Sequence, residues 1–221
     1  MVYTIQRTPH APALEAPWDA PVWADAKPLR LAHFRPEGSD HRPAVEARLL
    51  WGDGSLFGVF RVNDRFVRSV QVRYGDPVCR DSCVELFVEP AGGQGYVNFE
   101  WNAGGTLLAS HVTDPTRTPT GLAAATPLPV EQSARVRARS SLPRVVDPEV
   151  RAPLTWTLAF EIPFPVLQAV TGAPSPAPGD LWRANLYKCA DETSHPHWAS
   201  WAPVDDRNFH LPRCFGALRF A

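Results

Sequence analysis

The residues best suited to chemistry are Glu85, Asn98, Glu100 and Asn102, which fall in two stretches of strict polar–apolar alternation. In the first stretch Val84, Leu86 and Val88 share one parity, and Cys83, Glu85, Phe87 and Glu89 share the other. In the second, Val97, Phe99 and Trp101 oppose Tyr96, Asn98, Glu100 and Asn102. A half-buried strand gives one face to the core and the other to solvent or a ligand. The polar parity therefore displays short acids and amides beside two aromatic rings. Carboxylates and amides supply paired acceptors and donors, which is what a lattice of sugar hydroxyls requires. An ordinary solvated sheet face reads the same way. Two acids on neighbouring strands could also run acid/base hydrolysis of a glycoside, although any two acids on one sheet face meet that description.

A second set is aromatic. Trp198 and Trp201 lie in His197-Trp198-Ala199-Ser200-Trp201-Ala202-Pro203, with Phe209 close behind. An indole combines a large apolar surface with a π-face and can stack on a pyranose ring, or it can plug a core. The expectation is one tryptophan of each kind. His195, His197 and His210 would hold a metal only by converging with an acid, and their spacing does not require that. Asp81, Asp191, Asp205 and Asp206 are weak candidates for calcium, which ties down loops through oxygen ligands. The four cysteines, Cys79, Cys83, Cys189 and Cys214, lack the spacing of a zinc ribbon or a disulfide scaffold and read as free thiols. There is no phosphate-cradling glycine loop between a strand and a helix, and no nucleophile elbow.

These residues must be positioned by many short elements. Twenty-four prolines disfavour long helices and central strands. Ala44–Trp51 and Leu56–Asn63 alternate around Gly52-Asp53-Gly54, a hairpin signal. The two polar stretches are joined by Gly92-Gly93-Gln94-Gly95, and further strands are expected at Thr106–Val112, Ala134–Ser140, Thr155–Ile162, Leu181–Cys189 and Phe215–Phe220. Thr113–Val130 and Val145–Pro153 read as loops, and Pro165–Thr171 as the one plausible helix. Nine or ten short strands with turns between them predict an all-β, antiparallel sandwich of Greek-key or jelly-roll type. The expected organisation is one domain over residues 1–221, its core about 18–220 and residues 1–17 extended. A net charge of −1 leaves no basic surplus for nucleic acid. No apolar run approaches the roughly 18–20 residues of a membrane span. Met1–Pro21 lacks the charged-then-apolar pattern of a secretory signal, so the expected location is the cytoplasm. Oligomeric state has no signature here.

Taken in order, Gly75-Asp76-Pro77-Val78-Cys79-Arg80-Asp81-Ser82-Cys83-Val84-Glu85-Leu86-Phe87, Tyr96-Val97-Asn98-Phe99-Glu100-Trp101-Asn102, Trp182–Cys189, Trp201-Ala202-Pro203 and Phe209–Gly216 resemble the family 9 carbohydrate-binding modules, in particular their free-standing relatives. The resemblance runs from about Trp18 to the C-terminus. It implies a DOMON-type β-sandwich that clamps a gluco- or xylo-type sugar between aromatic rings, with acids, amides and basic side chains on the hydroxyls and calcium bracing the loops. Carried over, Glu85, Asn98, Glu100 and Asn102 match the polar positions, Arg80 and Lys188 are candidate basic partners, and Trp198 is the candidate ring. Cys79 stands where a second ring is expected, with Tyr74 as a possible substitute. The implied activity is non-catalytic carbohydrate binding in polysaccharide catabolism. The alternatives are a glycoside hydrolase working through Glu85 and Glu100, or a structural sandwich with a decayed site.

Overall fold

The computed structural model describes residues 1–221. Its strands are β1 (Val2–Arg7), β2 (Leu29–Arg30), β3 (His33–Phe34), β4 (Ala44–Gly52), β5 (Ser55–Asp64), β6 (Val67–Ser69), β7 (Cys83–Glu89) and β8 (Tyr96–Asn102). They continue with β9 (Leu107–Thr118), β10 (Gly121–Pro127), β11 (Arg137–Ser140), β12 (Val146–Val150), β13 (Leu154–Pro163), β14 (Leu181–Cys189), β15 (Trp198–Ser200) and β16 (Gly216–Phe220). Helices are confined to α1 (Val130–Ser133), α2 (Phe164–Thr171) and three short 3-10 turns. None is long and apolar enough to cross a membrane.

The strands follow one path, β10-β9-β8-β7-β14-β16-β1-β4-β5-β13-β11, which folds over into two facing layers. One layer runs from β10 to β16 and the other from β4 to β11. The β4–β5 hairpin closes through Asp53 and Gly54, with φ of 48° and 75°. Positive φ at both central residues gives the turn whose twist matches a hairpin. Between the layers the apolar parities meet: Trp101 of β8 stacks on Phe160 of β13 with ring centroids 4.9 Å apart, and Leu86, Phe99, Trp156 and Leu186 are fully buried around them. Gly58 makes this packing possible, because a Cβ there would lie 2.2 Å from the Phe160 ring.

The all-β sandwich is therefore present, with four departures from expectation. First, β1 is a paired strand, parallel both to β16 through Val2–Ile5 and to β4 through Gln6 and Arg7, so the sheet is mixed and the core begins at Tyr3 and Ile5 rather than near residue 18. Second, Thr113–Val130 is mostly the far half of the β9–β10 hairpin; Pro115 falls where the register slips, the kind of position at which an edge strand tolerates proline. Third, Val145–Pro153 contains β12, which pairs with the short β6. Fourth, these pairings together with the short strands β2, β3 and β15 raise the strand count to sixteen. The helix expected at Pro165–Thr171 is α2, closed by Gly172 at a φ of 76°.

Candidate functional site

The outward parity of β14, β7, β8 and β9 builds the site. Glu85 lies directly opposite Glu100 on β8 and Tyr187 on β14, while Phe87 lies opposite Asn98 and Asn185. Side chains in such register stand about 4.5–5.5 Å apart at Cβ, so the two glutamates are forced together. Above them is a cleft of about 460 Å³. Glu85, Phe87 and Glu100 form its floor, and Trp198 of β15, Phe209 and His210 contribute rings. Cys79, Cys189 and Asp191 line one part, and Arg35, Arg117 and Arg207 also reach it.

Burial sets the electrostatics. It pushes the Glu85 carboxyl well above the usual range, and the neighbouring Glu100 pushes it further. Burial likewise raises Glu100 to about 7, although the amide of Asn98 donates to its Oε1 at 2.7 Å and pulls the other way. Two buried acids in contact do not both ionise readily, so near neutral pH the floor carries a protonated carboxyl that can donate as well as accept. Asp191 is also raised by burial, against the Trp198 indole N–H that donates to it at 2.7 Å. That bond and the Arg35 guanidinium, 5.6 Å from the Trp198 ring centre, fix the indole plane. Phe209 is fixed by stacking on Tyr187 at 4.1 Å, and the Tyr187 hydroxyl donates to the Phe209 carbonyl at 2.9 Å. Burial lowers His210 to about 4, leaving a neutral ring whose Nδ1 lies 2.7 Å from the Tyr96 hydroxyl.

The structure thus brings together Glu85, Glu100 and Trp198, with Asn98 holding Glu100 in place. It separates the other candidates. Asn102 shares their parity but lies at the strand end, where it donates to Gln71 O at 2.8 Å and Asp81 Oδ2 at 2.9 Å and accepts from the Thr106 amide. Arg80 points to Glu192 at 3.3 Å, outside the cleft lining. Lys188 belongs to the opposite parity, that of Trp182, Ala184 and Leu186, and lies between the layers. Its Nζ is 3.6 Å from Asp64 Oδ2 and 2.9 Å from His197 Nε2. Tyr74 is no substitute ring, since its hydroxyl donates to Leu128 O elsewhere on the surface. The calcium candidates do not converge. Asp81 accepts from the Val70 and Gln71 amides, Asp191 from Trp198, and Asp205 from Arg213, while Asp206 accepts from the Arg207 amide. Nor do the histidines: His195 stacks on Phe66, His197 meets Lys188, and His210 faces Tyr96. Of the two loop tryptophans, Trp201 is buried in the main core and Trp198 lines the cleft.

Cys79, placed by the resemblance at a ring position of the site, does line the cleft, whereas sequence reasoning missed the cleft roles of Cys189, Asp191, His210 and the three arginines. For Cys189 a signal existed, because it shares the parity of Tyr187 and Asn185. Arg35 and Arg207 come from segments far apart in the chain, and only the closure of the fold brings them to one rim.

A family model described as carbohydrate-binding family 9 matches residues 27–220. The chain belongs to carbohydrate-binding family 9. A crystal structure of a candidate carbohydrate-binding protein from Bacteroides uniformis ATCC 8492 superposes with a TM-score of 0.80 at 25% identity, covering 100% of this chain and 99% of that one. A family 9 module from Caldicellulosiruptor kristjanssonii solved with cellotriose gives 0.65 at 10% identity, over 100% and 93% of the two chains. The complex of a family 9 module from the same organism with glucose gives 0.64 at 11%, over 99% and 95%. At such identities the last two share the family 9 fold and speak to the fold alone. No curated protein matches the chain.

Proposed function

We propose that the cleft binds a mono- or oligosaccharide of gluco- or xylo-type without cleaving it, in the service of carbohydrate catabolism. Glu85 and Glu100 exchange hydrogen bonds with ring hydroxyls, and Trp198 and Phe209 present apolar faces to the sugar. The observation that carries this reading is the Glu85–Glu100 pair, opposed in register on the floor of a cleft that Trp198 and Phe209 also line. The volume, about 460 Å³, lies within the range of small-ligand sites. The family 9 modules of like fold solved with cellotriose and glucose guide the choice of ligands to test.

Isothermal titration against glucose, xylose, cellobiose and xylobiose is the test. Binding to at least one is expected, and Trp198→Ala is expected to weaken it by about tenfold or more, the worth of roughly 1.5 kcal/mol of ring contact. Absence of heat with all four sugars, or an unchanged affinity in Trp198→Ala, sinks the reading.

A further inference from the structure

Three of the four cysteines converge beside the cleft from separate segments. Cys79 comes from the 3-10 turn Val78–Arg80, Cys83 from the first residue of β7, and Cys189 from the last residue of β14. Cys83 and Cys189 are direct partners in the β7–β14 register. With Glu85 they place one donor atom each within 4.8 Å of one another, and Cys189 Sγ is 2.9 Å from Glu85 Oε1. All three are 0–2% exposed, yet Cys189, Glu85 and Cys79 also line the cleft. The group is thus held in a fixed wall and open to arrival from one side.

Two sulfurs and a carboxylate suit a particular class of ion. Tetrahedral zinc bonds sulfur at about 2.3 Å and carboxylate oxygen at about 2.0–2.2 Å, which sets its donors roughly 3.5–3.8 Å apart. Donors already gathered within 4.8 Å need only small side-chain adjustments. Thiolates select borderline and soft ions and reject calcium, which wants six or more oxygens. The other histidine–acid group in the molecule makes a useful contrast. His41, Asp64 and His197 also cluster, but the Lys188 ammonium already sits between two of them, 2.9 Å from His197 and 3.6 Å from Asp64. No such resident cation fills the cysteine group.

We propose that Cys83, Glu85 and Cys189 form a site for a thiophilic divalent ion of the zinc class, with a fourth position facing Cys79 or the cleft. Binding replaces the protons of the two thiols and the carboxyl, which pass to solvent, and no electron changes hands. The site does not depend on sugar binding, although it draws on Glu85 and therefore alters the cleft floor when filled.

The test uses the full chain, freed of metal by a chelator and kept reduced. Zinc titrated calorimetrically is expected to bind at about one ion per chain, and cadmium to produce the ultraviolet charge-transfer absorption of cadmium–thiolate bonds. Glu85→Gln, a near-isosteric change, is expected to weaken zinc by about tenfold or more. Cys83→Ser/Cys189→Ser is expected to remove the cadmium band, and Cys214→Ser to leave it. Because the double variant touches the core, a second readout uses the unaltered protein. Zinc binding to it is expected to release protons, read as a calorimetric heat that changes with the ionisation enthalpy of the buffer. A cadmium band absent from the parent, one that survives in the double variant, or a zinc affinity unmoved by Glu85→Gln overturns the assignment. So does a zinc-binding heat that is the same in every buffer.

Discussion

Lys188→Met is expected to lower the unfolding free energy by about 3–5 kcal/mol, because it strands a buried carboxylate. Lys188 and Asp64 both have side chains that are 0% exposed. They join β14 of one layer to β5 of the other, and the ammonium also donates to the Cys189 carbonyl at 2.9 Å and to His197 Nε2. Burial alone would raise the Asp64 carboxyl. Lys188 and the 2.7 Å bond from His41 outweigh it and hold Asp64 at about 2. His197 is lowered to about 3, first by burial and then by Lys188, so it stays neutral and its Nε2 accepts a hydrogen bond from the ammonium. Removing Lys188 leaves Asp64 with the Trp156 indole, the Arg65 amide and His41 as its partners. At roughly 2–4 °C per kcal/mol for a chain of this size, Tm should fall by about 6–20 °C. Adding Asp64→Asn, which removes the stranded charge, should recover a substantial part. Urea denaturation of both variants checks this, and a loss below about 1 kcal/mol for Lys188→Met contradicts it. The depressed Asp64 also fixes a sign: its contribution is present above the unfolded carboxyl range near 4 and is lost as pH falls toward 2.

Glu100→Gln is expected to act in the opposite sense and over a different window. Glu100 is raised to about 7 by burial, so the folded state holds a proton that the unfolded chain releases near 4.5. A raised carboxyl contributes stability below its unfolded value, and that contribution disappears as pH rises to the folded value. Between pH 4.5 and about 7 the loss amounts to roughly 3 kcal/mol at about 1.4 kcal/mol per pH unit. His197 and His210, both depressed, change stability in the reverse direction over part of this range, so the parent profile alone does not isolate Glu100. The difference between the variant and the parent isolates the Glu85–Glu100 pair, since removing Glu100 also removes the repulsion that raises Glu85. Relative to pH 4.5, Glu100→Gln should gain on the parent by pH 7.5, by about 3 kcal/mol from Glu100 with the relief of Glu85 adding in the same direction, measured by urea denaturation in the presence of a chelator. A flat difference profile contradicts the raised carboxyl. Gln keeps an oxygen to accept from Asn98, so the variant is expected to fold.

What was legible in the sequence was whatever alternation encodes. The β7 and β8 parities put Val84, Leu86, Val97, Phe99 and Trp101 into the core and Glu85 and Glu100 onto the other face, and the fold bears this out. The same parity rule, applied to β14, assigns Lys188 to the interior beside Leu186. Family resemblance suggested a ligand-facing role for it instead, and the strand geometry prevails. Prolines misled in the other direction. Pro115 and Pro119 made the β9–β10 region look like a loop, whereas an edge hairpin with a slipped register accommodates them.

The sequence by itself determined that the chain is a β-sandwich and that Glu85 and Glu100 share a face, because side-chain direction in a strand is local and repeats every two residues. Only the tertiary structure decided which members of that face reach the cleft. Asn102 is consumed by Asp81 and the Thr106 turn, while the two glutamates are left under Trp198 and Phe209. It also decided that Cys83, Cys189 and Glu85 meet, and that Lys188 neutralises Asp64 across the sandwich. Those contacts join residues far apart in the chain. They depend on strand order and on which layer covers which, and a local period of two carries neither.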